Sequence, residues 1–308
     1  MLKRLSIAVA LAWLAGPAPA QSPSDVPVLQ AHGLGDGVFR VEGGVANAGF
    51  VVGPEGVIVV DAQRTPPEGA AQLALIARIA QRPVAGVILT HADPDHVGGL
   101  PAYPADALII MHENARAQIL AAAEAADGGP FFGPLYKAIA ASRLPHRTVA
   151  AAERMVIAGI MVEMIRVAPA HSGGDLIVHF PDHRVVFAGD IVLTDQGRFP
   201  SIRTGGSSLG WIASMKAILA LDADVIVPGH GPVATRERLE AQLKDAEERR
   251  AAIKQMVEAG KSLAEIDAAL PPEIANPRFP SFNRTTYDEL VKGYPEQVPP
   301  WHSLVERP

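Results

Sequence analysis

Apolar and polar positions along the chain follow two periods. Val38–Val41, Gly49–Val52 and Val57–Asp61 are short apolar runs between glycine-rich turns, and they read as strands, whereas residues 21–37 read as an irregular lead-in. Glu68–Arg82 carries helical spacing. Val84–Thr90 is a compact run rich in β-branched residues, which predicts a buried strand ending at His91. A helix is expected from near Val97, a strand over Ala107–Met111 and a helix over Glu113–Ala126. Residues 127–148 hold glycine, proline and aromatic residues and read as a loop with one short helix. Strands follow at Met161–Val167, Asp175–Phe180 and Val185–Ala188, with a hairpin turn at Pro181-Asp182-His183. The remaining pattern predicts a helix over Leu209–Leu221, a strand over Val225–Val227 and a long charged helix over Arg236–Ala259. Ser262 and Glu265 have the spacing of a capping box at the start of another helix. Strands first, then strands alternating with helices, in each half of the chain, suit two packed sheets with helices outside.

The 308 residues, 48% of them hydrophobic, suffice for one large core, and no internal repeat is visible. Lys3 and Arg4, the apolar run Leu5–Leu14 and Ala18-Pro19-Ala20 have the three-part pattern of a cleavable signal peptide over residues 1–20, so a periplasmic or secreted product is expected. Residues 21–270 are then expected to form the domain. Residues 271–308 are expected to form a proline-rich extension packed on it. Without residues 1–20 the chain keeps 25 basic against 33 acidic residues, a net of −8. That balance, with no Lys/Arg cluster, argues against a nucleic-acid partner and against stable membrane insertion after cleavage. The absence of cysteine excludes thiolate ligands, a cysteine nucleophile and disulfides.

The chemistry concentrates after the Val84–Thr90 run. His91, Asp93, Asp95 and His96 place four potential metal ligands within six residues, ahead of Gly98-Gly99. Residues two apart can converge on one ion, while adjacent Asp95 and His96 can serve another. Burying that much polarity at a strand end is costly unless a metal satisfies it. Three later residues repeat the situation, each at a strand end beside glycine: His171, Asp190 and His230.

In this order these residues resemble the metallo-β-lactamase superfamily, from about Val38 to Gly231, with Asp61 in a matching early Asp motif. The resemblance implies an α+β, four-layer αβ/βα sandwich. It implies a first metal on His91, Asp93 and His171 and a second on Asp95, His96 and His230. Asp190 would bridge the two, and Asp61 would support the metal loop. Two zinc ions are the expected cofactors. The family pattern is usually His-x-His-x-Asp-His, and Asp93 replaces its second histidine; the harder donor would also admit manganese or iron. β-Lactamases of the superfamily typically carry Cys or Ser where Asp190 falls, and Asp there resembles its lactonase, thioesterase and phosphodiesterase branches.

The implied activity is hydrolysis of an ester, lactone, thioester or amide of a small molecule by a hydroxide shared between two ions. Asp95 would orient that nucleophile and later carry a proton. Three other readings remain: a periplasmic β-lactamase, a phosphodiesterase, and a non-catalytic metal-binding accessory protein of a periplasmic quinoprotein system. Phe131, Phe132 and Tyr136 are the expected substrate-facing aromatics, with the Gly44–Asn47 turn as an opposite wall. Gly206-Ser207-Ser208-Leu209-Gly210 has the Gly-x-Ser-x-Gly spacing but no buried strand before it, so it reads as a loop leading into a helix. His112 is expected to be a solvated strand end and His179 and His183 surface residues. His32, His146 and His302 have no ligand context. Oligomeric state is not readable.

Overall fold

The computed structural model describes residues 26–125, 133–195, 197, 199, 202–203, 205–271 and 280–292. Two sheets face each other. The first takes its strands in chain order: β1 (Gln30–Gly35), β2 (Val38–Glu42), β3 (Ala48–Val52), β4 (Val57–Val60), β5 (Val84–Ile88), β6 (Leu108–His112) and β7 (Arg147–Val149). It is antiparallel up to β4 and parallel from there, because α1 (Pro66–Ala80) and α3 (Glu113–Glu124) carry the chain back to the start of the next strand. The second sheet runs β12 (Val225–Val227), β11 (Val185–Phe187), β10 (Ile177–Phe180), β9 (Ile160–Ile165), β8 (Glu153–Ile157).

The alternation within single strands builds the layers. In β4, Ile58 and Val60 point into the space between the sheets and meet Val162, Met164, Val178, Phe180 and Phe187 from the second sheet. Val57 and Val59 point the other way, into a core shared with Leu75, Ile76, Ala115, Ile119 and Ile139 of the outer helices, the last from α4 (Gly133–Ser142). On the far side, Ile165, Ile177, Val186 and Ile226 pack under α5 (Ser208–Ala220) and α6 (Arg236–Glu258) through Trp211, Met215, Ile218 and Leu239. The result is the helix–sheet–sheet–helix sandwich expected from the sequence. The chain also forms α2 (Pro94–Val97), α7 (Leu263–Ala269) and α8 (Phe282–Lys292), and the capping box at Ser262 and Glu265 is present.

Several elements differ from expectation. The lead-in is not irregular: residues 30–35 form β1, an edge strand paired with β2, and its mostly exposed side chains explain the missing hydrophobic signal. Residues 133–149 hold a three-turn helix and β7 where a loop with a short helix was expected, and β8 escaped notice. Past Pro271, residues 282–292 are helical. Glu289 of α8 accepts hydrogen bonds from the Ser208 backbone N–H (2.6 Å) and Oγ (2.7 Å), with Arg250 of α6 completing a buried network. Among the described residues no helix is long and apolar enough to cross a membrane.

Candidate metal centre

β5 delivers the chain to the centre of one sandwich edge. Pro94 opens α2 with its φ already helical. Asp93 stands at the N-cap, where a carboxylate ordinarily accepts from the helix N–H groups, yet its side chain makes no cap hydrogen bond. The carboxylate instead turns to His171 Nε2 at 3.2 Å and His91 Nε2 at 3.6 Å. Its other neighbour is the guanidinium of Arg203, with Nε against Oδ2. His96, one turn into α2, faces the opposite way, its Nε2 3.2 Å from Asp190 Oδ1.

The later donors arrive on loops with tightly specified backbones. Asp175 accepts from the N–H groups of Ala170 (3.0 Å) and Ser172 (2.9 Å) and from the Ser172 hydroxyl (2.6 Å), which folds the loop around His171. Asp190 follows Gly189, whose φ is +52°, and a Cβ at Gly229 would lie 1.9 Å from Asp190 Oδ1. The His230 carbonyl is held by the Thr194 N–H at 3.0 Å, and Asn47 spans the same loop from the Pro228 to the Gly231 carbonyl.

Two clusters result. His91, Asp93, His171 and Asp190 form one; Asp95, His96 and His230 form the other. Within each, the donor atoms lie within 4.8 Å of one another. Asp190 faces both: Oδ2 lies 3.6 Å from His171 Nε2 and 3.9 Å from His91 Nε2, and Oδ1 lies 3.4 Å from His230 Nε2 as well as near His96. Asp95 Oδ2 is 3.3 Å from His230 Nε2. His91 Nε2, His96 Nε2 and Asp190 Oδ1 are buried without a hydrogen-bond partner. Three orphaned polar atoms in one pocket would each cost about 1–3 kcal/mol, and a divalent ion in each cluster satisfies all of them, so the donor set fits a two-metal centre.

Behind the donors, Asp61 sits in the left-handed region at φ +61°, a conformation aspartate tolerates better than most residues. It accepts from the Thr90 N–H and from the Thr90 hydroxyl, each at 2.8 Å, and meets His96 Nδ1 at 2.8 Å. Because the Thr90 hydrogen goes to Asp61, its oxygen is left to accept from His91 Nδ1 at 3.0 Å. Both imidazoles are thereby assigned the tautomer that leaves Nε2 bare for a metal. Without metal, burial would push both His171 and His230 down. The facing carboxylates of Asp93 and Asp190 respectively outweigh it and hold His171 up at about 9 and His230 at about 10. Burial likewise opposes ionisation of Asp93 and Asp190, and the surrounding imidazoles reverse it, keeping both carboxyls well below the usual range.

All seven proposed ligands and Asp61 thus meet at one place. Tyr136 lies beside it, its hydroxyl donating to the Ala92 carbonyl at 2.9 Å; Phe131 and Phe132 fall outside the described residues. The Gly43–Asn47 turn lines a cleft of about 440 Å³ that reaches Gly231, next to His230. Sequence reasoning passed over Thr90, Asp175 and Arg203. The first two stand close to donors in the sequence, Thr90 just before His91 and Asp175 shortly after His171, but Arg203 carried no spacing signal. Two other histidines are corrected. His112 is buried and caps α3, Nδ1 accepting from the Asn114 N–H at 3.1 Å; His179 is buried in the second sheet, Nδ1 2.8 Å from Glu163. The Gly-x-Ser-x-Gly stretch is a helix start, Ser207 capping α5.

A sandwich of this kind with a two-cluster donor set at its edge defines a class, and the comparisons agree. Residues 41–230, more than half of the chain, match the metallo-beta-lactamase superfamily, and the chain belongs to it. It is 25% identical over 231 residues to a linear primary-alkylsulfatase of a Pseudomonas species, and 27% identical over 236 residues to the alpha subunit of a 2,4-dinitroanisole O-demethylase of a Nocardioides species. These matches take in 63% and 75% of this chain but 43% and 66% of the relatives, so the chain spans less than two thirds of either length. Among solved structures, a stereoselective inverting sec-alkylsulfatase from Pseudomonas sp. matches with a TM-score of 0.66 at 15% identity, over 91% of this chain and 52% of its own. A metallo-beta-lactamase from Pontibacter korlensis matches at 0.57 and 20% identity, over 71% of this chain and 99% of its own.

Proposed function

We propose that the protein is a metal-dependent hydrolase that cleaves an ester, lactone, thioester or amide bond of a small molecule. The observation that carries this reading is Asp190, whose two oxygens face separate donor clusters. Two divalent ions, zinc being the first expectation for this His/Asp set, supply Lewis-acid polarisation and a water acidic enough to act as nucleophile at neutral pH. The chain's own part is to place that chemistry. Asp61 and Thr90 fix the imidazoles; Asp95, half-buried at the outer cluster, is placed to accept a proton at Oδ2 and return it to the departing group. Tyr136, hydrogen-bonded to Ala92 between His91 and Asp93, and the Asn47 turn, hydrogen-bonded to the loop that carries His230, would bound the substrate.

A second reading within the same chemistry is a sulfate ester. The structural likeness to the sec-alkylsulfatase runs over 91% of the chain, against 71% for the β-lactamase, and a curated relative is also named an alkylsulfatase. The pattern of residues 1–20 supports the further proposal that the protein works outside the cytoplasm.

The test joins metal content to turnover. Ions per chain are counted by elemental mass spectrometry, and carboxylic esters, lactones, thioesters, amides, nitrocefin, bis-p-nitrophenyl phosphate, alkyl sulfates and an aryl methyl ether are screened with and without chelator. Two ions and chelator-sensitive turnover of one bond class bear the reading out. Bound metal with no turnover turns it into the accessory-protein alternative, and no metal after remetallation removes the centre altogether.

A further inference from the structure

Asp93 places a carboxylate in the deeper cluster, and the structure pairs it with Arg203. Three observations make that pairing a built feature. First, Asp93 gives up the helix cap that its position offers and aims its carboxylate into the cluster. Second, Arg203 is fixed to the loop of another donor of the same cluster. Its N–H donates to the His171 carbonyl at 2.6 Å, and its own carbonyl accepts from the Gly206 N–H at 2.9 Å. Gly206 lies so close that a Cβ there would be 2.5 Å from the carbonyl oxygens of both Ala170 and His171. Third, the Arg203 side chain is 35% exposed while Asp93 is buried, so the guanidinium reaches inward from the rim to meet the carboxylate.

The electrostatic consequence follows from counting. A carboxylate where an imidazole could stand lowers the charge of the pocket by one unit, and a guanidinium against it restores that unit. The carboxylate oxygen that Arg203 touches is also the one nearest His171 Nε2, so an ion entering this cluster meets a ligand already engaged by a cation.

We propose that Arg203 is a positioning residue of the deeper metal cluster: it orients Asp93 and offsets its charge, so that His91, Asp93 and His171 hold a divalent ion less tightly than these donors would alone. This rests on the two-metal reading above. The function it assigns to Arg203 is to keep the deeper ion exchangeable although the added carboxylate would otherwise lock it in.

The experiment is a metal titration of the full chain, stripped with chelator and read by competition with a chromophoric chelator for zinc. The step that vanishes in His171→Ala identifies the deeper cluster. For Arg203→Met this step tightens on the order of tenfold, while Arg203→Lys, which keeps the charge, stays near wild type. Asp93→His weakens the step, because Arg203 then faces the ion with no carboxylate between, and the double variant Asp93→His/Arg203→Met recovers it. Melting curves of the metal-free variants confirm that each is folded. An unchanged or weaker step in Arg203→Met overturns the inference; weakening that Arg203→Lys does not rescue marks a purely structural role for the loop. If wild type binds two ions and Arg203→Met does the same with equal affinity, only this inference falls. If wild type binds none, the two-metal reading falls with it.

Discussion

The two donor clusters share one pair of sheet edges yet are held in different ways. The deeper one buries His91 and His171 almost completely and leaves the Asp93 side chain 12% exposed, its carboxylate matched by a guanidinium. The outer one has half-buried Asp95 and His230, with side chains 17% and 12% exposed, around a fully buried His96, which is fixed from behind by Asp61. One cluster is therefore set by charge pairing, and the other by a hydrogen-bonded support with its open side toward solvent. That asymmetry suits a centre in which one ion is shielded and the other is exposed to substrate and water.

The largest effect should come from the residue that the clusters share. Asp190→Ala removes an oxygen from each cluster and leaves His96 and His230 facing an empty space. The expected outcome is a fall from two ions to at most one per chain and a loss of turnover of at least about a thousandfold, measured by elemental analysis and initial rates. Retention of both ions would show that Asp190 is not the bridge.

Protonation offers a second way to compare the clusters: without metal, His171 of the deeper one is held up at about 9, while in the outer one His230 is held up at about 10 and His96, buried between Asp190 and Asp61, well above its ordinary value. The folded state favours the charged form of all three, and for His171 and His230 the pH window follows from their values. Their stabilisation is complete below the ordinary value of 6.5 and is lost as pH rises through about 9 to 10. The metal-free protein should melt a few degrees lower at pH 10 than at pH 7, and the metal-loaded protein should not show this loss. Metal binding requires neutral imidazole, so calorimetry in buffers of different ionisation heat should detect at least about two protons released per chain near pH 8, from His171, His230 and His96. Release of none would mean that the imidazoles are already neutral.

Asp61→Asn sharpens the comparison further. Asparagine tolerates the left-handed backbone at φ +61° but replaces one acceptor with a donor, against His96 Nδ1 or the Thr90 pair. His96 is touched directly, and His91 only through Thr90. The outer cluster should lose about 10–100-fold in metal affinity and the deeper one less, both read in the same chelator competition. Equal losses would mean that Asp61 acts on the loop as a whole.

These differences set the limits of what could be read from sequence. Two packed sheets with helices outside were legible from the order of strands and helices, and uniformly apolar runs such as Val57–Val60 marked strands buried on both faces, while the four-layer sandwich itself came from the resemblance carried by the donor residues. β1 was not, since an edge strand with exposed side chains has no apolar face to display. His91, Asp93, Asp95 and His96 stood out by local density. Asp190 and His230 stood out only as strand-end residues beside glycine, and the reason for Gly229, the Asp190 carboxylate lying against its Cα, is visible only in three dimensions. His112 and His179 misled because a lone histidine at a strand end reads as solvated. Their partners, the Asn114 N–H and Glu163, belong to tertiary structure. Arg203 was unreadable for the same reason: its partner lies 110 residues earlier, across the sandwich edge.

The smallest expected effect lies on the deeper side. The Tyr136 hydroxyl donates to the carbonyl of Ala92, the residue between His91 and Asp93, so α4 steadies the backbone of that cluster without contributing a ligand. Burial first, and then the nearby charge of Asp93, push the hydroxyl above its ordinary value, so it stays protonated and a donor across the working range. Tyr136→Phe keeps the ring and leaves one partly buried carbonyl without its donor, a loss of about 1 kcal/mol. Both ions should remain bound, with at most a few-fold change in affinity at the deeper cluster and none at the outer one. If the ring also borders the substrate, Tyr136→Ala should raise KM while Tyr136→Phe leaves it unchanged. An equal rise in both would place the hydroxyl, and not the ring, in contact with substrate, and equal loss of metal from both clusters would refute the assignment of Tyr136 to one side.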